Sequence, residues 1–111
     1  MLNLNISESP LFKKQIKTLK KRFRNIQKDL DLWSESLQST DQLGIRLKEN
    51  VYKVRIANSD KNKGKSSGYR LFTYLEIINE ELIFIYIYDK SDIENIDENE
   101  LDKAILEALS I

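Results

Sequence analysis

The sequence predicts an α+β domain, with helices packed on one face of a twisted, mainly antiparallel sheet of about four strands. Three observations carry that prediction. Residues 12–37 repeat apolar side chains at helical spacing, residues 51–90 hold three β-like segments separated by turn residues, and the tail from Asp97 returns to helical spacing. At 111 residues the chain is expected to form one domain spanning residues 1–111.

Residues 2–6 alternate Leu-Asn-Leu-Asn-Ile, a period of two that suggests a short strand. Ser9 and Pro10 then suit the start of a helix. Ser caps the free N–H groups of the first turn, and Pro lacks the N–H that would be unpaired there. Phe12, Ile16, Leu19, Phe23, Ile26, Leu30, Trp33 and Leu37 follow at alternating steps of four and three, which places one apolar stripe along a helix. Trp and Phe suit a globular core better than a coiled-coil seam, and the stripe is short for a zipper. The spacing fits one helix or a hairpin of two. Arg24-Asn25 is the best place for a break, since Asn tolerates a left-handed cap.

Residues 38–50 are turn-rich, carry Gly44 and are expected to connect. Strands are expected over 51–58, 69–78 and 82–90, with Asn79-Glu80-Glu81 as a tight hairpin and 59–68 as a polar loop. The last helix is expected to begin with Asp97 as its cap and Glu100 three residues on. Leu101, Ile105, Ala108 and Leu109 then form its apolar face.

Composition narrows the chemistry. The chain has no His and no Cys. That excludes a disulfide framework, a zinc site, a thiol nucleophile and a Ser-His-Asp triad. Proton transfer falls to Lys, Tyr, Asp, Glu or a substrate group, and neither a cofactor nor a metal is expected. The longest apolar run, Leu82 to Tyr88, is seven residues, against about 20 for a membrane span. The first residues lack the basic start and apolar stretch of a signal peptide. A cytoplasmic protein with no membrane partner is expected.

Eighteen Lys and Arg balance eighteen Asp and Glu. Zero net charge would ordinarily argue against a nucleic-acid partner. The charges are segregated, however. Residues 1–75 hold 16 basic and 7 acidic side chains, a balance of +9, and residues 76–111 hold 2 and 11, a balance of −9. Eight basic residues and no acid lie between Phe12 and Lys28. Such segregation hints at a polyanionic partner.

Strand parity assigns side chains to faces. Tyr52, Val54, Ile56, Tyr69, Leu71, Leu75, Ile77, Ile83, Ile85 and Ile87 fall on one aliphatic face, expected to pack on the helices. Lys53, Arg55, Arg70, Phe72, Tyr74, Phe84, Tyr86, Tyr88 and Lys90 fall on the other, with no acid among them. Cations hold phosphates and aromatic rings stack on bases, as in RNA-binding sheets. The alternative is that the aromatics form a second small core under a helix, with Lys and Arg at its rim. Burying those cations unpaired would be costly.

Gly64-Lys65-Ser66 invites a phosphate-loop reading. The pattern needs a Gly where the chain has Ser59, and the βαβ architecture around it is missing.

A different pattern fits. Tyr52-Lys53-Val54-Arg55-Ile56, then Gly64-Lys65-Ser66-Ser67-Gly68-Tyr69-Arg70, then Tyr88-Asp89-Lys90-Ser91-Asp92 resembles the RelE/ParE superfamily of bacterial toxins from type II toxin–antitoxin systems, most nearly its RelE/HigB-like branch. The resemblance covers nearly the whole chain. It implies a RelE-like fold, with a helical hairpin on a twisted antiparallel sheet and a C-terminal helix, and so favours two helices before residue 38. It implies metal-free mRNA cleavage, often on the ribosome, and a cognate antitoxin that covers the active surface. By the same resemblance Arg70 is the phosphate clamp, Arg55 and Lys53 hold the RNA backbone or the transition-state charge, and Lys65 contacts RNA. Lys90 transfers a proton or stabilises charge, and Tyr88 stacks a base or shares that role, unless it is a core or rim aromatic. A ParE-like gyrase poison, or an inactive antitoxin-binding relative, shares the fold. Some relatives use a His or Tyr near the C-terminus. This chain has no His, and no Tyr follows Tyr88.

Overall fold

The computed structural model describes residues 3–61 and 67–110. The elements run β1 (Asn5–Glu8), α1 (Pro10–Lys20), α2 (Ile26–Glu35), a 3-10 turn (Thr40–Leu43), β2 (Ile45–Lys48), β3 (Val51–Ile56), β4 (Tyr69–Glu76), β5 (Glu81–Asp89) and α3 (Glu98–Leu109). One five-stranded sheet has the order β1-β5-β4-β3-β2. β1 runs parallel to β5, and the other neighbours are antiparallel.

The expected start of α1 is present. The Ser9 hydroxyl accepts the Phe12 N–H at 3.1 Å and donates to the Ile85 carbonyl at 3.2 Å, tying the helix to β5. The helical region is a hairpin, broken at 21–25. Asn25 does stand at the break, at the N-cap of α2, but its φ of −96° is not left-handed. Its backbone N–H and side-chain amide instead donate to the Asp60 carboxylate, each at 3.0 Å.

The expected connector contains a fifth strand. Ile45–Lys48 alternates for only four residues between Gly44 and the turn at Asn50, too briefly to stand out from its turn-rich surroundings. Gly44 makes the entry possible: its φ is +97°, and a side-chain carbon there would collide with the Lys53 carbonyl. β4 stops at Glu76, two residues early. Glu80 takes a positive φ of 50° to close the turn, and Ile77, expected on the packed face, is left 71% exposed.

The expected faces need one larger correction. Phe72 pairs with Tyr86 and Thr73 pairs with Phe84, so Ile85 is an extra residue in β5. This bulge breaks the period of two. Leu82 and Phe84 face the helical hairpin before it, Ile87 does so after it, and Ile83 and Ile85 join the opposite face. The parity assignment was therefore reversed for Ile83, Ile85 and Phe84.

Two cores result. Phe12, Leu19, Phe23, Ile26 and Leu30 of the hairpin region close over Val54, Leu71, Leu75 and Phe84, with Phe12 edge-on to Phe84 at 5.3 Å. On the other face Leu101, Ala104 and Ala108 of α3 cover Phe72, Ile85, Tyr86 and Tyr88. Two alanines on this stripe let the helix lie close to the rings. The helices thus cover both faces, not one.

Candidate active site

The cations expected to act together lie on the α3 side of the sheet. Arg55 of β3 stands opposite Arg70 of β4, and Arg70 opposite Tyr88 of β5, so the three form one row across three strands. The next row holds Lys53, Phe72 and Tyr86. Lys90 follows β5. Its backbone N–H donates to the Gly68 carbonyl at 3.0 Å and its ammonium to the Glu94 carbonyl at 2.9 Å. Gly68 also lies tightly against the end of β3, where a side-chain carbon would strike the Ile56 carbonyl.

Burial differs sharply within the row. Arg55 is exposed, whereas Arg70 is 4% and Tyr88 5% exposed. Arg70 Nη1 donates to the Tyr69 carbonyl at 3.3 Å. The Lys53 ammonium lies 5.8 Å from the centre of the Phe72 ring. Burial, followed by the nearby charges of Arg70, Lys90 and Arg55, pulls the Lys53 ammonium below its ordinary pKa. Burial and then Arg55 act on Arg70 in the same direction. Burial raises the Tyr88 hydroxyl, and the Arg70 charge opposes it. That hydroxyl finds no well-formed hydrogen-bond partner among the described residues, though the Ile96 backbone also opposes the rise.

The aromatic rings are not displayed. Phe72, Tyr86 and Tyr88 form the second core, with Phe72 and Tyr86 edge-on at 6.0 Å. Phe84 lies on the far side of the sheet. The alternative of an aromatic core with a cationic rim therefore describes the surface for Lys53, Arg55 and Lys90, while Arg70 is buried with the rings. Tyr86 donates to Glu100 at 2.8 Å, and burial with this contact pushes its hydroxyl up to about 12. Glu100 is thus spent on Tyr86. Asp97 caps α3 by accepting the Asn99 N–H at 2.8 Å, without Glu100 folding back on it. Lys48 of β2 pairs with Asp102 of α3 at 2.5 Å.

Lys65 and Gly64 lie outside the described residues. Among the described residues that flank them, two buried carboxylates make contacts that sequence reasoning missed. Asp89 is fully buried and pairs with the Lys61 ammonium. It also accepts the Asn58 amide at 3.2 Å, the Ser91 N–H at 3.0 Å and the Ser91 hydroxyl. Burial works against the Asp89 charge, but Lys61, Ser91 and Asn58 together hold its pKa below the ordinary carboxylate value. Asp29 of α2 accepts the Ser59 N–H at 3.0 Å. An Asp closing the otherwise apolar and aromatic strand at 82–89 was the available signal.

A family model described as the RelE toxin of the RelE/RelB toxin–antitoxin system matches residues 11–110. The chain belongs to the RelE toxin family. It is therefore of the toxin half of a toxin–antitoxin pair, and an antitoxin is its partner. The ParE-like reading is not favoured. Among solved structures, this RelE-family chain is similar to a double arginine-to-alanine mutant of E. coli toxin RelE in the free state, at 19% identity and a TM-score of 0.55. The match covers 98% of this chain and 96% of that one, and bears out the RelE-like α+β fold. No curated protein sequence matches significantly. No described helix of the RelE-family toxin is long and apolar enough to cross a membrane.

Proposed function

We propose that this toxin acts in the cytoplasm as an endoribonuclease on ribosome-bound mRNA, using the RNA's own 2′-OH as nucleophile. The observation that carries the reading is the convergence of Lys53, Arg55, Arg70 and Lys90 on one surface. Neither Lys53 nor Arg55 is ion-paired to a carboxylate among the described residues.

The 2′-oxygen attacks the adjacent phosphorus, a cyclic phosphate forms, and the 5′-oxygen leaves with a proton. Charge accumulates on the non-bridging oxygens, and fixed positive charge there is the largest single source of rate. Arg70 and Arg55 suit that task, because a guanidinium stays charged and grips phosphate with two N–H groups. Burial, and then the charges of Arg70, Lys90 and Arg55, favour the neutral amine of Lys53. It takes the proton of the 2′-OH as general base. Lys90, held beside the row, gives the leaving 5′-oxygen its proton from the ammonium. Tyr88 remains a protonated hydroxyl next to Arg70. Lys65 contributes to RNA contact on the loop side.

The test is primer extension on translated mRNA, with and without ribosomes, for the wild type and Arg70→Ala. The wild type cuts only in the presence of ribosomes, and folded Arg70→Ala loses at least a hundredfold in cleavage and is not toxic when induced. A folded Arg70→Ala protein that remains fully toxic refutes the site. Growth arrest without mRNA loss refutes the activity, and absence of any wild-type effect identifies an inactive antitoxin-binding relative.

A further inference from the structure

Beside the cation row the surface sinks into a cleft of about 260 Å³ between β2, the face of β3 and β4, and the segment entering α3. Its apolar walls are Leu47, Phe72, Ile96 and Leu101, and its polar groups include Lys53, Asn95 and Glu98. We infer that this cleft takes one unpaired nucleobase of the RNA held on Lys53 and Arg70, and that Asn95 holds it while Glu98 reads it. The inference rests on the RNA-binding half of the proposed function.

Size and lining fit a flat heterocycle. The cleft is smaller than the roughly 300–1,000 Å³ that drug-sized ligands occupy, so it suits one ring system and not a whole nucleotide. An apolar lining of Leu47, Phe72, Ile96 and Leu101 accepts the faces of a base, and RNA sequence is read mainly on splayed-out, unpaired bases. Lys53 connects the cleft to the catalytic row. Its ammonium feels the charges of Arg70, Lys90 and Arg55, and the same side chain lines the cleft. A strand whose phosphate lies on these cations has its neighbouring base at the opening.

The polar groups that line the cleft are available for readout. Asn95 is exposed and has no hydrogen-bond partner among the described residues. Glu98 lies near Lys48, but Lys48 gives its ion pair to Asp102 and leaves the Glu98 carboxylate open. A carboxylate only accepts hydrogen bonds. It therefore suits the exocyclic amino groups of adenine, cytosine and guanine. Uracil would present carbonyl oxygens on both sides of its one N–H and would be disfavoured.

The test is fluorescence anisotropy with labelled pentaribonucleotides, 2′-O-methylated so that they cannot be cut, differing only at the central base. The wild type is expected to bind the adenine-, cytosine- and guanine-centred forms about tenfold more tightly than the uracil-centred one, the low end of what a well-made base contact supplies. Glu98→Gln, whose amide can donate as well as accept, is expected to bring all four within about twofold, whereas Asn95→Ala is expected to weaken all four alike and keep the bias. Circular dichroism confirms that both variants are folded. Equal wild-type affinities, a bias that survives in Glu98→Gln, or no binding at all overturns the inference. Primer extension on the same proteins separates the two claims. Base-selective binding without cleavage sinks the nuclease and leaves the cleft, and cleavage without base selectivity sinks the cleft and leaves the nuclease.

Discussion

Replacing Asp89 with Ala tests the idea that a buried charge cluster fixes both the fold and the site's outer edge. Asp89 is fully buried and receives Lys61, the Asn58 amide and two donors of Ser91. Its removal strips Lys61 of its carboxylate and leaves the buried Asn58 amide without that acceptor. Breaking a buried ion pair from one side costs about 3–5 kcal/mol. The Lys61 side chain keeps 20% exposure and its contact with the Ser67 carbonyl. Partial rehydration therefore places the expected loss near the lower bound, about 3 kcal/mol. That is a large share of the roughly 5–15 kcal/mol that holds a domain together. It corresponds to a fall in Tm of roughly 12 °C or more. Urea unfolding followed by Trp33 fluorescence measures it at pH 7. The pH dependence supplies a second check. The folded protein holds Asp89 below its ordinary pKa of 3.8. Its stabilisation is complete above that value and is lost as pH falls through the lower, folded-state pKa. The gap between wild type and variant should therefore narrow in acid. A loss below 1 kcal/mol at pH 7, or a gap that widens in acid, refutes the reasoning.

Two further outcomes are expected. Ser9→Ala removes a buried cap that also bonds Ile85. It should cost about 1–2 kcal/mol in the same urea assay, with cleavage unaffected once the protein is folded. Arg55→Ala removes one of the cations that depress the Lys53 pKa. Because the neutral amine is the active form, the acid limb of the pH–rate profile should move to higher pH as well as the rate falling. A lower rate with an unmoved limb excludes Lys53 as the base.

How much was legible in the sequence follows from what each signal depends on. Ser9-Pro10, the stripe from Phe12 and the Asp97 cap depend on residues close in the chain and are present, although Glu100 does not close a capping box and Leu109, expected on the apolar face of α3, is exposed. The helical hairpin came through resemblance, since no Pro or Gly marks its turn. β2 was missed because an edge strand of four residues, exposed throughout, carries too short a pattern. The reversal of Ile83, Ile85 and Phe84 has a different cause. A bulge is a property of two paired strands, and nothing within Leu82–Asp89 alone announces the extra residue. The gathering of Lys53, Arg55, Arg70 and Lys90 was legible through strand parity, because β3 and β4 up to Phe72 pair without interruption. The Asp89 cluster was not, because its partners come from residues 58, 61 and 91, which only the tertiary fold brings together.

The bulge and the charge segregation bear on the same surface. By placing one extra residue at Ile85, β5 sends Phe84 into the hairpin core and still delivers Tyr86 and Tyr88 to the cationic face. There they form, with Phe72, an apolar floor beside Lys53 and Arg70. That floor withholds water from the cations and raises the cost of their charge, which is the first cause of the lowered Lys53 and Arg70 pKa values. The acidic C-terminal third lies close by. Asp102 meets Lys48 and Glu100 meets Tyr86, but no described carboxylate pairs with Lys53 or Arg55. The zero net charge of the chain is therefore the sum of a basic N-terminal two-thirds and an acidic C-terminal third that meet at this surface. The cations left unpaired where they meet are the ones a phosphate would neutralise.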